Sequence, residues 1–182
     1  MHRKLKIEEM GRLTPDEFRQ AEKIPFIVVL DNVRSLHNVG AVFRTADAFR
    51  LESVYLCGMT ATPPNAEMHK TALGAELVLD WEYDKETIDA VERLQKKGYK
   101  VFAIEQAENS IDLQQFAKIE IENYENEKIA VVLGHEVFGV QQEVIDKCDG
   151  CIEIPQYGTK HSLNVSVTAG IVMYEIAKIM RN

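Results

Sequence analysis

Six short apolar runs, separated by helical patterns, limit what this chain can fold into more than any other feature. They are "FIVVLD" (26–31), "SVYLCG" (53–58), "ELVLDW" (76–81), "KVFAIE" (100–105), "IAVVLG" (129–134) and "CIEIP" (151–155). Between them apolar residues recur at helical spacing over about 38–49, 66–73, 85–97, 140–147 and 163–180. Strands apolar on both faces that alternate with helices predict an α/β fold, an open, mostly parallel sheet of about six strands with helices on both faces. Residues 25–182 contain no repeat or linker and read as one domain with room for a substantial core. Residues 1–24 read as an N-terminal helical extension, with Thr14-Pro15-Asp16-Glu17 as a helix start.

The charged start "MHRKLKIEEMGRL" has no apolar segment of the signal-peptide kind, and no run approaches the roughly 18 apolar residues of a membrane span, so a cytoplasmic protein is expected. Cys148-Asp149-Gly150-Cys151 has the form of a redox pair or half a zinc site. It lacks a second ligand pair and sits where a helix runs into a strand, so structural cysteines and no metal are expected. The net charge of −8 argues at first against a nucleic-acid partner. Residues 105–127 alone contribute −6 through Glu105, Glu108, Asp112, Glu120, Glu122, Glu125 and Glu127 against Lys118. The remainder is near neutral and leaves room for a local basic patch.

Ligands of open parallel sheets bind beyond the carboxyl ends of the strands. The loops after residues 31, 58, 105, 134 and 155 are therefore where chemistry is sought. In "LDNVRSLHNVGAVFRTADAF" a helix starts near Asn38, a favoured N-cap. Gly40 and Arg44 share a face, which would aim Arg44 over bare backbone and an open helix end as an anion site. A capped helix with a surface arginine fits the same residues. "IAVVLGHEVFGV" sets Glu136 between Gly134, where a ligand could approach the backbone, and Gly139, where the chain could turn sharply. No phosphate-binding G-x-x-x-x-G-K-[ST] or G-x-G-x-x-G occurs, and no second histidine follows His135-Glu136 at zinc-protease spacing.

In "IPQYGTKHSLNVSVTAGIVMYEI" an apolar run ends at Pro155, polar residues follow, and the most hydrophobic helix begins. Ser162 is expected as its N-cap, with Asn164 in the first turn and Lys160 nearby to receive a carboxylate or phosphate. Leu163, Val167, Ile171, Tyr174 and Ala177 leave the helix apolar on most faces, so a homodimer is an attractive cover.

Together these segments resemble the SpoU/TrmH family of RNA ribose 2′-O-methyltransferases, in the SPOUT class. "NVRSLHNVGAVFRTADAF" is similar to its first motif, with Asn38 and Arg44. "VVLGHEVFGV" resembles the second, with Glu136, and the segment from Ile154 resembles the third, with Ser162 and Asn164. "HKTALGAE" (69–76) also resembles a family segment. Order, spacing and strand context agree over residues 25–180. Gln156 stands where the family often has Met, and Arg50 where it often has Gly.

The resemblance implies a C-terminal deep trefoil knot, a pocket for S-adenosylmethionine and an active site beside a homodimer interface. It implies cofactor contacts at Leu133, Gly134, Ile154, Gly158 and Leu163, and Asn38, Arg44, Glu136, Ser162 and Asn164 as the catalytic group. The expected reaction is methyl transfer to a ribose 2′-hydroxyl of tRNA or rRNA. Arg44 would stabilise the developing alkoxide and hold a phosphate, while Glu136 would fix Arg44 or a loop amide. With few aromatics free for stacking, RNA shape and phosphate are the expected recognition features. The rival is a non-catalytic RNA-binding or assembly factor on the same fold, which need not keep this set of residues. A flavodoxin-like domain would instead place an acidic pocket or phosphate loop after the first strand.

Overall fold

A computed structural model describes residues 2–119 and 128–181. Glu120, Glu122, Glu125 and Glu127 of the acidic segment lie outside the described residues. Seven strands, β1 (Ile24–Asp31), β2 (Leu51–Cys57), β3 (Asp80–Asp84), β4 (Tyr99–Ile104), β5 (Ile111–Asp112), β6 (Lys128–Leu133) and β7 (Gly150–Glu153), form one sheet in the order β3-β2-β1-β6-β4-β7-β5. Every strand pair in it is parallel. Val28 lies opposite Val54 on one side and Val131 on the other, so β1 is central and buried on both faces.

That burial explains its unbroken apolar run. Phe26, Val28 and Leu30 enter one core, Ile27 and Val29 the other. The first core is covered by α2 (Leu36–Ala48), α3 (Ala66–Ala72), α5 (Leu113–Ile119) and α7 (Val165–Met180). The second is covered by α4 (Thr87–Lys96) and α6 (Gln142–Ile145). In the N-terminal segment, Thr14 and Glu17 form a reciprocal capping box that opens α1 (Pro15–Gln20), and Phe18 reaches the first core.

Four expectations about local structure need correction. The run 76–81 is not a strand: Ala75–Leu77 is a 3-10 turn and β3 starts at Asp80. Glu76 is buried there, accepting from the Gly74 amide at 3.0 Å and meeting His69 Nδ1 at 2.5 Å, while Leu77 points outward. The turn's hydrogen bonds override the β-rich composition. Asn38 is not an N-cap, since α2 begins a turn earlier with Ser35, whose Oγ accepts from the Asn38 amide at 3.3 Å. Ser162 is not an N-cap either, because Asn164 caps α7 by accepting from the amides of Ser166 and Val167. The short pair β5–α5 had no signal strong enough to separate it from the acidic stretch.

Gly40 does not offer a bare surface to Arg44. It is buried, and a Cβ there would lie 2.2 Å from Thr71 Oγ1 and 2.3 Å from the Met68 carbonyl oxygen. The missing side chain lets α3 pack directly on α2.

Candidate functional site

The loops that follow β4, β6 and β7 at their carboxyl ends, with the start of α7, enclose a cavity of about 880 Å³. Its walls include Leu133, Gly134, Glu136, Ile154, Ser162, Leu163 and Asn164. Seven of the ten residues singled out from the sequence thus meet at one place.

The loop after β6 is shaped by two close approaches. A Cβ on Gly134 would fall 2.1 Å from Gly139 C and Val140 N, so the missing side chain admits the protein's own backbone. Gly139 takes a positive φ of 66°, and Glu105 Oε2 occupies the space where its Cβ would stand. Reciprocal backbone bonds between His135 and Gly139 close the turn. Val137 and Phe138 are pushed out into solvent at its tip.

On the first loop, Asp31 is buried and accepts from Thr87 Oγ1 at 2.6 Å and the Gln141 amide at 3.1 Å. The Thr60 hydroxyl donates to the Leu30 carbonyl and accepts from the Val33 amide. Held in this way, residues 34–38 present their donors to Glu136. Its carboxylate accepts from the amides of Arg34 (3.1 Å) and Ser35 (2.9 Å) and from Asn38 Nδ2 (3.2 Å). Partial burial pushes the Glu136 carboxyl up, but the backbone donations from Ser35, its own amide and Arg34, with Asn38, hold it below its ordinary value of 4.5. It is therefore a carboxylate at neutral pH, suited to anchoring rather than to proton exchange.

Asn38 passes the connection on. Its Oδ1 accepts from Asn164 Nδ2 at 3.2 Å, and Asn164 Oδ1 caps α7. One chain of hydrogen bonds thus joins the loops after β1 and β6 to the start of α7.

Arg44 is not part of that chain. It is exposed and makes no hydrogen bond or salt bridge among the described residues. It opens instead on a second cleft, of about 730 Å³, whose lining shares no residue with the first. Glu136 fixes loop amides, not Arg44. Gly158 lies on an exposed loop and is absent from the cavity wall.

Sequence reasoning named the loop after β4 as a place for chemistry but singled out no residue in it. Gln106 Nε2 donates to the His161 carbonyl at 2.8 Å, tying that loop to the segment before α7. Glu105 accepts from the Val140 amide at 3.1 Å. Their position at a strand's carboxyl end was the available signal. Two aromatics stand out in solvent, Tyr157 at 95% and Phe138 at 82% exposure.

Burial disfavours the reactive thiolate in the Cys148–Cys151 pair. Burial, then Asp149, pushes the Cys148 thiol up to about 12; burial raises Cys151, whose Sγ donates to the Glu105 carbonyl. Among the described residues no cluster of three or more His, Cys, Asp or Glu side chains could hold a metal ion. No helix among them is long and apolar enough to cross a membrane.

The profile of the SpoU rRNA Methylase family matches residues 25–174. A Staphylococcus haemolyticus protein named as a TrmH family tRNA/rRNA methyltransferase is 31% identical over 165 residues, 88% of this chain and 63% of its own length. The 23S rRNA (guanosine-2′-O-)-methyltransferase RlmB of Vibrio parahaemolyticus is 31% identical over 90% of this chain and 63% of its own length. The chain therefore spans somewhat less than two thirds of these relatives. The crystal structure of an AdoMet-bound rRNA methyltransferase from Sinorhizobium meliloti superposes with a TM-score of 0.76 at 26% identity, covering 92% of this chain and 61% of that one. The A. aeolicus TrmH/SpoU tRNA modifying enzyme has the same fold, with a TM-score of 0.77 at 24% identity over 92% of this chain and 82% of that one. With its motifs meeting at one cavity and the match running through nearly all of the sheet, the chain belongs to the SpoU/TrmH family, whose parallel sheet and characteristic knot are its fold.

Proposed function

We propose that the protein transfers a methyl group from S-adenosylmethionine to a ribose 2′-hydroxyl of tRNA or rRNA, as a cytoplasmic homodimer. The observation that carries this reading is the bridge Glu136–Asn38–Asn164 at the wall of the strand-end cavity. The cavity's size suits a nucleoside-containing ligand, within the roughly 300–1,000 Å³ usual for small-molecule sites. Leu133, Gly134, Ile154 and Leu163 would hold the cofactor, largely through backbone groups, with Gly158 in the loop that borders it. When bound, the cofactor supplies a sulfonium methyl already activated for displacement.

The protein's task is then the nucleophile, an alcohol with a pKa far above neutrality. Ser162 and Asn164 orient the ribose and the cofactor by hydrogen bonds, and Asn38 fixes Asn164. Glu136 holds the 34–38 segment in place. Arg44 stabilises the developing alkoxide and grips the adjacent phosphate. A guanidinium is a poor base, so a phosphate oxygen or water takes the proton.

Arg44 opens away from its own chain's cavity, so in this reading it serves the cavity of a second copy. Support for the dimer comes from α7 and the residue before its cap. Leu163, Val167, Ile171 and Tyr174 are exposed at intervals of four, four and three, a continuous apolar stripe. The three free, unpaired cysteines accord with a reducing compartment.

The test is incubation with methyl-labelled S-adenosylmethionine and tRNA and rRNA pools from cells lacking the gene. Label in alkali-resistant dinucleotides is the expected result. Cofactor binding by calorimetry without transfer to any RNA would favour the binding-factor alternative, and no cofactor binding would end the reading.

A further inference from the structure

The second cleft is lined by residues 11–15 and Phe18 of the N-terminal segment, by the end of α2 through Arg50, by residues 72–75 and 78, and by Arg181. Four guanidiniums, those of Arg12, Arg44, Arg50 and Arg181, face it against one carboxylate, Asp47. Such a concentration is unexpected in a chain with 29 acidic and 21 basic residues. Arg3, Arg19 and Arg93 each pair with a carboxylate within 3.0 Å. Among the described residues the four arginines of the cleft form no salt bridge.

Two of them are placed at a cost. Arg50 has φ 50°, in the left-handed region where a side chain strains the backbone and glycine does not. Arg181 Nη2 donates to the Phe49 carbonyl at 2.7 Å, which holds this guanidinium beside the backbone of Arg50. Burial, and then the charge of Arg50, press the Arg181 pKa down, so the two like charges are close enough to repel. Arg12 comes from a different element, between the left-handed Gly11 and the Thr14 cap, and its charge is felt by Asp47. Repulsion and unpaired charge converging on one concavity are relieved by an anion with several oxygens. The planar forks of arginine match phosphate. Four such forks, delivered by three separate stretches of chain, match a string of phosphates better than a single one.

We infer that this cleft holds the sugar-phosphate backbone of the substrate RNA beside the nucleotide to be methylated, with Arg12, Arg50 and Arg181 extending the phosphate contact begun by Arg44. The inference rests on the reading of the protein as an RNA methyltransferase. It adds a recognition surface built by the N-terminal segment and the end of α7.

The experiment measures binding of bulk tRNA and of a short labelled single-stranded RNA over a series of salt concentrations. It compares the wild type, Arg50→Gly, which removes the charge while relieving the backbone, and the double variant Arg12→Gln/Arg181→Gln. Thermal melts check folding of each. The expected result is RNA binding several-fold weaker in Arg50→Gly, with the slope of log affinity against log salt shallower by about 0.7–0.9 per arginine removed. Arg50→Gly should melt no lower than the wild type. Both variants binding both RNAs like the wild type would overturn the inference, whether or not inorganic phosphate binds the cleft; so would a wild type that binds neither RNA. Methyl transfer on the same preparations keeps the two readings apart. Arginine-dependent RNA binding without transfer keeps the cleft and sinks the reaction; transfer with arginine-independent binding sinks the cleft alone.

Discussion

Asn164 Nδ2 donates to Asn38 Oδ1 at 3.2 Å, joining residues 126 positions apart in sequence. The same two side chains face opposite tasks at their other ends. Asn164 Oδ1 receives the first free amides of α7, and Asn38 Nδ2 donates to Glu136. The position of the last helix is thereby coupled to the loops after β1 and β6.

That coupling separates two variants. Asn164→Ala removes a cap and a link, and is expected to cost about 1–2 kcal/mol of stability. Asn38→Ala removes only side-chain links and should cost less, about 0.5–1.5 kcal/mol. Both should lower methyl transfer by at least about tenfold if orientation of the site sets the rate. Urea denaturation and a single-turnover methylation assay measure the two effects separately.

Glu136 makes the site acid-sensitive. Its folded pKa lies below the ordinary 4.5, so its stabilising contribution is fully present above that value and is lost as pH falls through the depressed one. Glu136→Gln should therefore be less stable than the wild type by about 1–2 kcal/mol near neutrality. The gap should narrow as the pH drops below about 4.5, where the wild-type carboxyl takes up its proton. Melting temperatures of both proteins across this range give the comparison; a gap that does not change with pH would count against the bonding scheme.

Two glycines are predicted to tolerate no side chain. At Gly134 a Cβ would collide with the backbone of Gly139 and Val140, and at Gly40 with Met68 O and Thr71. Gly40→Ala should destabilise the fold by about 1–3 kcal/mol through the α2–α3 contact. Gly134→Ala should displace the loop bearing Glu136 and so weaken cofactor affinity as well as stability. Calorimetric titration with S-adenosylmethionine, run beside thermal melts, tells the two cases apart.

Arg44→Ala should leave cofactor affinity near the wild-type value, because Arg44 is assigned to the RNA's ribose oxygen and phosphate and lines no part of the cofactor cavity of its own chain. Methyl transfer should fall by about 100- to 1,000-fold, the usual loss when a group that stabilises a developing oxyanion is removed. A transfer rate close to wild type in the purified enzyme would remove Arg44 from the reaction.

Ile171→Glu places a charge in the exposed apolar stripe of α7 and touches neither the cavity nor the arginine cleft. Sedimentation should then show a monomer where a dimer is expected for the wild type. Activity should fall with the dimer if Arg44 acts on the second copy. A wild type that is monomeric at micromolar concentration would refute the association.

The sequence by itself determined the parallel α/β sheet and the strand ends at which a site had to lie. Those features depend on local patterns: unbroken apolar runs such as residues 26–30, and helical spacing in α2, α4 and α7. Likeness to known motifs added which residues to watch. Only the tertiary structure decided how they are used. Ser35 rather than Asn38 caps α2, and the Asn38 side chain, free of that task, spans from Glu136 to Asn164. Gly40 and Gly134 admit neighbouring backbone, and Arg44 leaves the cavity for a cleft shared with Arg12, Arg50 and Arg181. Periodicity reports which face of an element is buried, whereas a hydrogen bond near 3 Å or a shared cleft depends on where distant segments cross. That crossing is a property of the whole folded path, and no local stretch of residues encodes it.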